Sequence, residues 1–264
     1  MLAYDLLFDH PGTDTVLRDA ARPQRPGGAL PRPDQTPNGW IGTAGPAIAS
    51  ATWPRGPQTG LPMFHVLTLA LPPEYRRRGE EFPAIAFFQG EGQFAQELNR
   101  DDDGEDPFLR ELTSAVDHPE QTILTDIIDG KFALIWLTAH EFLAGPTAPP
   151  ADPRRPGEHV AQDEGPNAWD EIHPTRDVWL VARADPNTGL TPSEEETEEG
   201  YRPASDWSDD LAGRSHLGGT VMPVQGLPEG LTPYFLELEE TPGTNYGSGN
   251  LQLDLESGTF DWAC

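Results

Sequence analysis

The sequence predicts an α+β, β-dominated fold of duplicated antiparallel sheet units with few short helices, and three observations carry the prediction. Apolar runs are short: residues 63–71 and 84–88 mix alternation with continuous apolarity, the pattern of strands buried on two faces. Glycine and proline, 27 and 29 of 264 residues, break the chain at close intervals. The stretch 53–94 also has a weaker copy near the C-terminus. Pro62, Phe64 and Leu67 are echoed by Pro233, Phe235 and Leu238, and Ile85, Phe87, Gly92 and Phe94 by Leu251, Leu253, Gly258 and Phe260.

Taken in order, residues 4–8 read as a short edge strand, and 23–37 are too dense in Pro and Gly for regular structure. Trp40 and Ile41 restart the apolar signal before the turn at 42–46. Core strands follow at 63–71 and 84–89, separated by a charged excursion whose Arg76, Arg77 and Arg78 read as a solvated strand connection. Asp106 and Pro107 give a cap and a first-turn proline to a helix burying Phe108, Leu109, Leu112 and Val116. Strands at 122–128 and 132–138 flank Asp129-Gly130, a tight-hairpin signal. Residues 176–184 form a strand, 192–200 an acidic loop and 206–211 a short helix at best. The chain closes with strands at 234–239, 250–255 and 259–262. Alternation in LQLDLE predicts Leu251, Leu253 and Leu255 on a core face, with Gln252, Asp254 and Glu256 in solvent.

These elements divide the chain into an N-terminal strand and Pro/Gly-rich arm (1–39) and one domain (40–264). The domain consists of two repeats, about 40–144 and 176–264, joined by a Pro-rich loop at 145–175 around one shared core.

Composition narrows the function classes. With 44 acidic against 17 basic residues the formal charge is −27, which repels nucleic-acid backbones and anionic membranes and favours a basic protein partner. No apolar run reaches the ~18 residues of a membrane span and the N-terminus lacks a leader pattern, so the expectation is a cytoplasmic protein without membrane or nucleic-acid partners. The single cysteine, Cys264, excludes a disulfide framework and a cysteine metal cluster.

No catalytic constellation emerges. Lys131, the only lysine, follows Gly130 in a hairpin and not a phosphate loop, and Gly247-Ser248-Gly249 lacks nucleophile-elbow spacing. His140-Glu141 does not continue into a zinc motif. His65, alternating with buried neighbours, reads as a hydrogen-bonded core histidine. His216, a titratable group beside Gly218-Gly219, is the histidine kept as a ligand-site candidate. In NRDDDGED, Gly104 at the sixth position of a calcium loop places Asn99, Asp101 and Asp103 at the first, third and fifth. The register then fails, because Arg110 occupies the twelfth position, so an acidic loop capping the next helix is the competing explanation; otherwise no cofactor is expected. Glu194, Glu195, Glu196, Glu198 and Glu199 are either a solvated loop or a surface for an Arg/Lys-rich partner.

Several motifs together resemble the YwqG-like family of uncharacterised bacterial proteins. They are G-x-x-x-P at 42–46, Trp53-Pro54, GLPMFHVLTL at 60–69, FPAIAFF at 82–88 and His216-Leu217-Gly218-Gly219. The chain departs from the family pattern at His65-Val66-Leu67, where the family has a polar Gln, and at Pro83-Ala84-Ile85, where it has Gly. The resemblance covers most of residues 40–263 and implies a duplicated, pseudo-two-fold α+β architecture with an immunity or partner-binding role. Two functions remain in view. One is a non-enzymatic acidic protein that binds and neutralises a basic toxin. The other is an enzyme or small-ligand protein whose cleft between the repeats is lined by His216 and Trp53.

Overall fold

A computed structural model of the chain describes residues 1–8, 36–98, 106–153, 165–170, 172–207 and 211–264. Its strands are β1 (Ala3–Phe8), β2 (Gly39–Ile41), β3 (Phe64–Ala70), β4 (Ala84–Gln89), β5 (Gln121–Thr125), β6 (Lys131–Leu137), β7 (Arg176–Arg183), β8 (His216–Leu217), β9 (Phe235–Glu239), β10 (Asn250–Asp254) and β11 (Phe260–Ala263). The α-helices among the described residues are α1 (Pro107–Leu112) and α2 (Ala139–Leu143). All strands join one antiparallel sheet in the order β11-β10-β9-β8-β1-β7-β2-β3-β4-β6-β5. The sheet coils until its terminal strands meet, with the Phe260 ring of β11 4.7 Å from Phe132 of β6, so the architecture is a nearly closed barrel.

The barrel interior is one apolar cluster drawn from both halves of the chain. Phe64, Leu67, Leu69, Ile85, Phe87 and Leu134 come from the first half, and Leu217, Leu236, Leu238, Leu251 and Leu253 from the second. Alternation produces this face, with one interruption. A bulge in β3 between His65 and Leu67 lets Val66 and Leu67 both face inward, and it puts His65 and Thr68 together on the outer face.

The outer face is also covered, in two chemically different ways. Over β4 and β6 it is apolar, with Ala84, Ala86, Phe88, Ala133, Ile135 and Leu137 under Ile48, Trp53 and Phe142. Over β1, β7, β8, β9 and β10 it is largely polar yet buried: Asp5, Arg183, His216, Glu237, Asn250, Gln252 and Asp254 are at most 6% exposed. The expected solvent-facing role of Gln252 and Asp254 is therefore wrong. The loops between strands lie over this face, and side-chain hydrogen bonds replace water.

Residues 4–8 are not an edge strand. β1 lies inside the sheet, paired with β7 on one side and β8 on the other. Its Asp5 explains the placement: the carboxylate accepts from Arg183 Nη1 at 2.5 Å and from Arg214 Nη1 at 3.2 Å, all three being nearly inaccessible. Arg183 also reaches Asp185 at 2.9 Å, giving two carboxylates for two guanidinium groups. Such a buried set survives only with its charges met.

The helix begins as expected, with the Asp106 carboxylate accepting from Phe108 N–H at 2.7 Å. It ends at Leu112, so Val116 lies beyond it and is 61% exposed. Of the short helix expected at 206–211, residues 208–210 lie outside the described residues; a 3-10 turn at Ala204–Asp206 leads into it. The Asp129-Gly130 hairpin forms, with Asp129 at φ 69° and the Asp126 carboxylate accepting from Ile128 and Gly130 N–H at 3.0 and 2.7 Å. Arg76, Arg77 and Arg78 pair with Glu80, Glu256 and Glu120, and the Arg77 guanidinium stacks 3.9 Å over the Tyr234 ring. Arg77 therefore fastens the two halves together.

Replacing Asp5 with alanine leaves the buried Arg214 without its carboxylate and Arg183 with Asp185 alone, and a loss of about 3–5 kcal/mol is expected by urea denaturation. Gly218 stands at φ 58°, and a Cβ there meets the Tyr75 hydroxyl at 2.1 Å. Gly218→Ala should cost about 1–3 kcal/mol, part of it recovered when Tyr75→Phe removes the colliding oxygen.

Candidate functional site

Sequence reasoning offers His216, Trp53 and the acidic run at 194–199 as site residues, and the fold sends them to separate places. His216, on the outer face of β8, is fully buried. Its Nδ1 faces the Gly218 carbonyl at 3.1 Å and its Nε2 the Glu237 carboxylate at 3.2 Å. That carboxylate also accepts from Met222 N–H at 2.8 Å and the Gln252 amide at 3.2 Å. Asn250 donates to the Met222 carbonyl at 2.8 Å, which holds the 218–224 strap over the layer. Burial first, and then the Glu237 carboxylate, pushes the neighbouring Glu239 carboxyl up. The glycine turn beside His216 packs against protein, Gly218 against the Tyr75 hydroxyl and Gly219 against the Asp185 carboxylate.

Trp53 belongs to the apolar outer cluster on the other half of the barrel. Its indole donates to the Met63 carbonyl at 2.9 Å and its ring meets Phe88 edge-on at 5.3 Å. One edge lines a cavity of about 290 Å3 together with Arg55, Gly60, Leu112 and Val116. Arg55 is committed there, donating to the Gly60 carbonyl at 2.9 Å and to the Glu111 carboxylate. Trp53 and His216 line no common cavity among those described.

Two cavities do lie where the halves meet, both bordered by Pro166. One, of about 170 Å3, is lined by Gln89, Glu91, Asp126, Asn245 and Trp262; the other, of about 250 Å3, by Phe64, Asp170, His173 and Gly243. Both fall below the ~300–1,000 Å3 of ordinary small-molecule sites. At the first, most polar groups are spent on one another. The Gln89 amide donates to the Asn245 carbonyl at 2.8 Å and accepts its N–H at 3.0 Å, and the Trp262 indole donates to Asp126. Glu91, 1% exposed, accepts from Gln58 N–H, Thr59 N–H and the Thr59 hydroxyl at 2.9, 2.9 and 2.8 Å.

Glu194, Glu195, Glu196, Glu198 and Glu199 are all exposed on the loop between β7 and β8. One of them has a described backbone donor, Leu227 N–H on Glu194 at 2.8 Å. Asn99, Asp101 and Asp103 lie outside the described residues. Among the described residues no three His, Cys, Asp or Glu side chains are grouped to hold a metal ion.

His65 is the core histidine the sequence indicates. Its Nδ1 donates to the Gly42 carbonyl at 2.7 Å, and its Nε2 accepts from the Thr68 hydroxyl at 2.8 Å, a neutral ring. Sequence reasoning missed Asp185, Arg183 and Arg214. The available signal was Asp5 itself, a charge in the middle of the apolar run AYDLLF. Compared with known family models, curated proteins and solved structures, the chain matches none.

Burial holds the His65 pKa down to about 4, below the ordinary 6.5. Because the unfolded chain binds the proton first, stability is full above pH 6.5 and falls as the pH drops from 6.5 to about 4, by roughly 3 kcal/mol. Urea midpoints across that window should show the slope, and His65→Gln should flatten it.

Proposed function

We propose that this protein is a non-enzymatic, acidic protein-binding protein of the immunity type that captures a basic protein such as a toxin. The observation that carries the reading is the charge of −27 together with its placement. Five glutamates at 194–199 stand exposed, while the one dense basic cluster, Arg76 to Arg78, is consumed in ion pairs. An unbalanced acidic surface of this kind steers basic partners and discriminates against acidic ones. The mutual satisfaction of His216, Glu237, Gln89 and Glu91, and the small seam cavities, supply no reacting group facing a ligand-sized space. No described helix is long and apolar enough to cross a membrane; with the acidity, this supports a cytoplasmic protein that binds neither membrane nor nucleic acid.

The duplicated, YwqG-like architecture is part of the same proposal. It is supported by the two echoing stretches, each of which folds as an antiparallel pair, β3 with β4 and β9 with β10. A second reading is an enzyme or small-ligand protein using a cleft between the repeats; beside the two seam cavities it has the cavity of about 290 Å3 that Trp53 lines within the first half, itself just under the ~300 Å3 of ordinary sites. It is tested by a thermal-shift screen of metals and metabolites, in which no stabilisation is expected.

The deciding experiment is capture of basic proteins from lysate of the source organism, followed by kinetics of the purified pair. The on-rate should fall at least about tenfold between roughly 50 mM and 500 mM salt. Replacing the five glutamates at 194–199 with glutamine should slow association and leave dissociation nearly unchanged. Salt-insensitive binding would show the charge argument to be wrong.

A further inference from the structure

Hydrogen bonding in the sheet stops at two terminal strands, β5 and β11. At one end of β5, Asp126 N–H donates to the Gly130 carbonyl at 3.2 Å; at the other, Trp136 N–H donates to the Glu120 carbonyl at 3.3 Å. With the register Thr122↔Leu134 and Leu124↔Phe132, the backbone groups facing β6 belong to Glu120, Thr122, Leu124 and Asp126. The N–H and C=O groups of Ile123 and Thr125 therefore point away from the sheet. β11 approaches on that side at the hairpin end, where Ile127 N–H donates to the Asp261 carboxylate at 3.4 Å and the Trp262 indole bonds Asp126. No backbone ladder joins the two strands.

The side chains along this edge are open as well. Thr122, Ile123 and Thr125 are exposed, and Ile123, Ile127 and Ile128 stand at 41%, 82% and 41%. The strand itself, QTILT, carries no charge and no proline, the devices that ordinarily guard an edge against pairing. Its ends are acidic: Asp117 precedes it and Asp129 and Asp261 flank the hairpin, in addition to Glu120, paired with Arg78, and the buried Asp126. Of the cations nearby, Arg78 is already paired with Glu120 and Lys131 is bonded to the Thr125 hydroxyl.

We propose that the free edge of β5 accepts an extended segment of a partner protein, apolar or β-branched at its centre and rich in lysine or arginine at its ends. Main-chain bonds to Ile123 and Thr125 supply the pairing, the isoleucines the apolar contact, and the flanking carboxylates the selection for basic ends. The inference rests on the acidic-binder reading and gives that partner a shape. A second copy of this chain is the disfavoured occupant, because it would bring carboxylates against carboxylates.

The probe is a synthetic peptide with a Val-Thr-Val-Thr-Val centre and two lysines at each end, titrated into the full chain at low salt with amide exchange read by NMR. Protection of the Ile123 and Thr125 amides is expected. Ile123→Pro should weaken binding at least about tenfold while leaving the fold intact, because the N–H it removes is not part of the β5–β6 ladder. Equal binding to Ile123→Pro, or binding without protection of those amides, overturns the edge site and leaves the acidic-binder reading standing. Equal binding of a glutamate-flanked peptide, or none of the lysine-flanked one, also overturns it, with the wider reading judged by the salt dependence of intact basic proteins. A concentration-dependent dimer that Ile123→Pro abolishes assigns the edge to a second copy, and likewise overturns the proposal. The exchange measurement on the unmutated chain gives its answer even if the proline variant fails to fold.

Discussion

Asp5 is the constraint around which the rest of the barrel is arranged. A carboxylate placed in the interior of a sheet is tolerated only with its charge met, and here two arginines from distant parts of the chain meet it, Arg183 on β7 and Arg214 just before β8. Those pairs fix β1 between β7 and β8 and so set which strands of the two halves become neighbours. Asp185 completes the neutralisation and also accepts from Thr220 N–H at 3.0 Å and its hydroxyl at 2.9 Å, which anchors the strap crossing the polar layer. The same ion set thus positions both the sheet and its cover.

The two outer surfaces of the barrel serve different ends. Over β4 and β6 small alanines alternate with larger residues, and Trp53 and Phe142 pack on them as in any core. Over β8, β9 and β10 the equivalent positions are His216, Glu237, Asn250 and Gln252, which bond one another and the strap backbone. A hydrogen-bonded layer accepts few alternative arrangements, because any slip leaves a buried group unpaired. It fixes the C-terminal strands in register more firmly than apolar packing alone would.

Where the structural signal was local, the sequence made it legible. β4 has the bounds its composition indicates, Asp106 caps α1 as its position implies, and Asp129-Gly130 turns the hairpin. What was not legible depended on partners far along the chain. In LQLDLE the alternation correctly separates two faces, but nothing in six residues tells whether Gln252 meets water or Glu237. β1 looks like an edge because its neighbours lie far away in sequence. Val116 fits a helical stripe, yet the helix ends at Leu112. His216 drew notice as a possible ligand group for sound chemical reasons, and the acid that occupies it sits 21 positions away.

The central position of β1 also orders events in time. During synthesis β1 precedes its arginine partners by 178 and 209 residues, so it waits unpaired while the strands between them are made. The β3–β4–β6–β5 meander can assemble from near neighbours well before that. Closure around β1 is then the late, high-contact-order step, and AYDLLF is the segment that a chaperone would meet exposed.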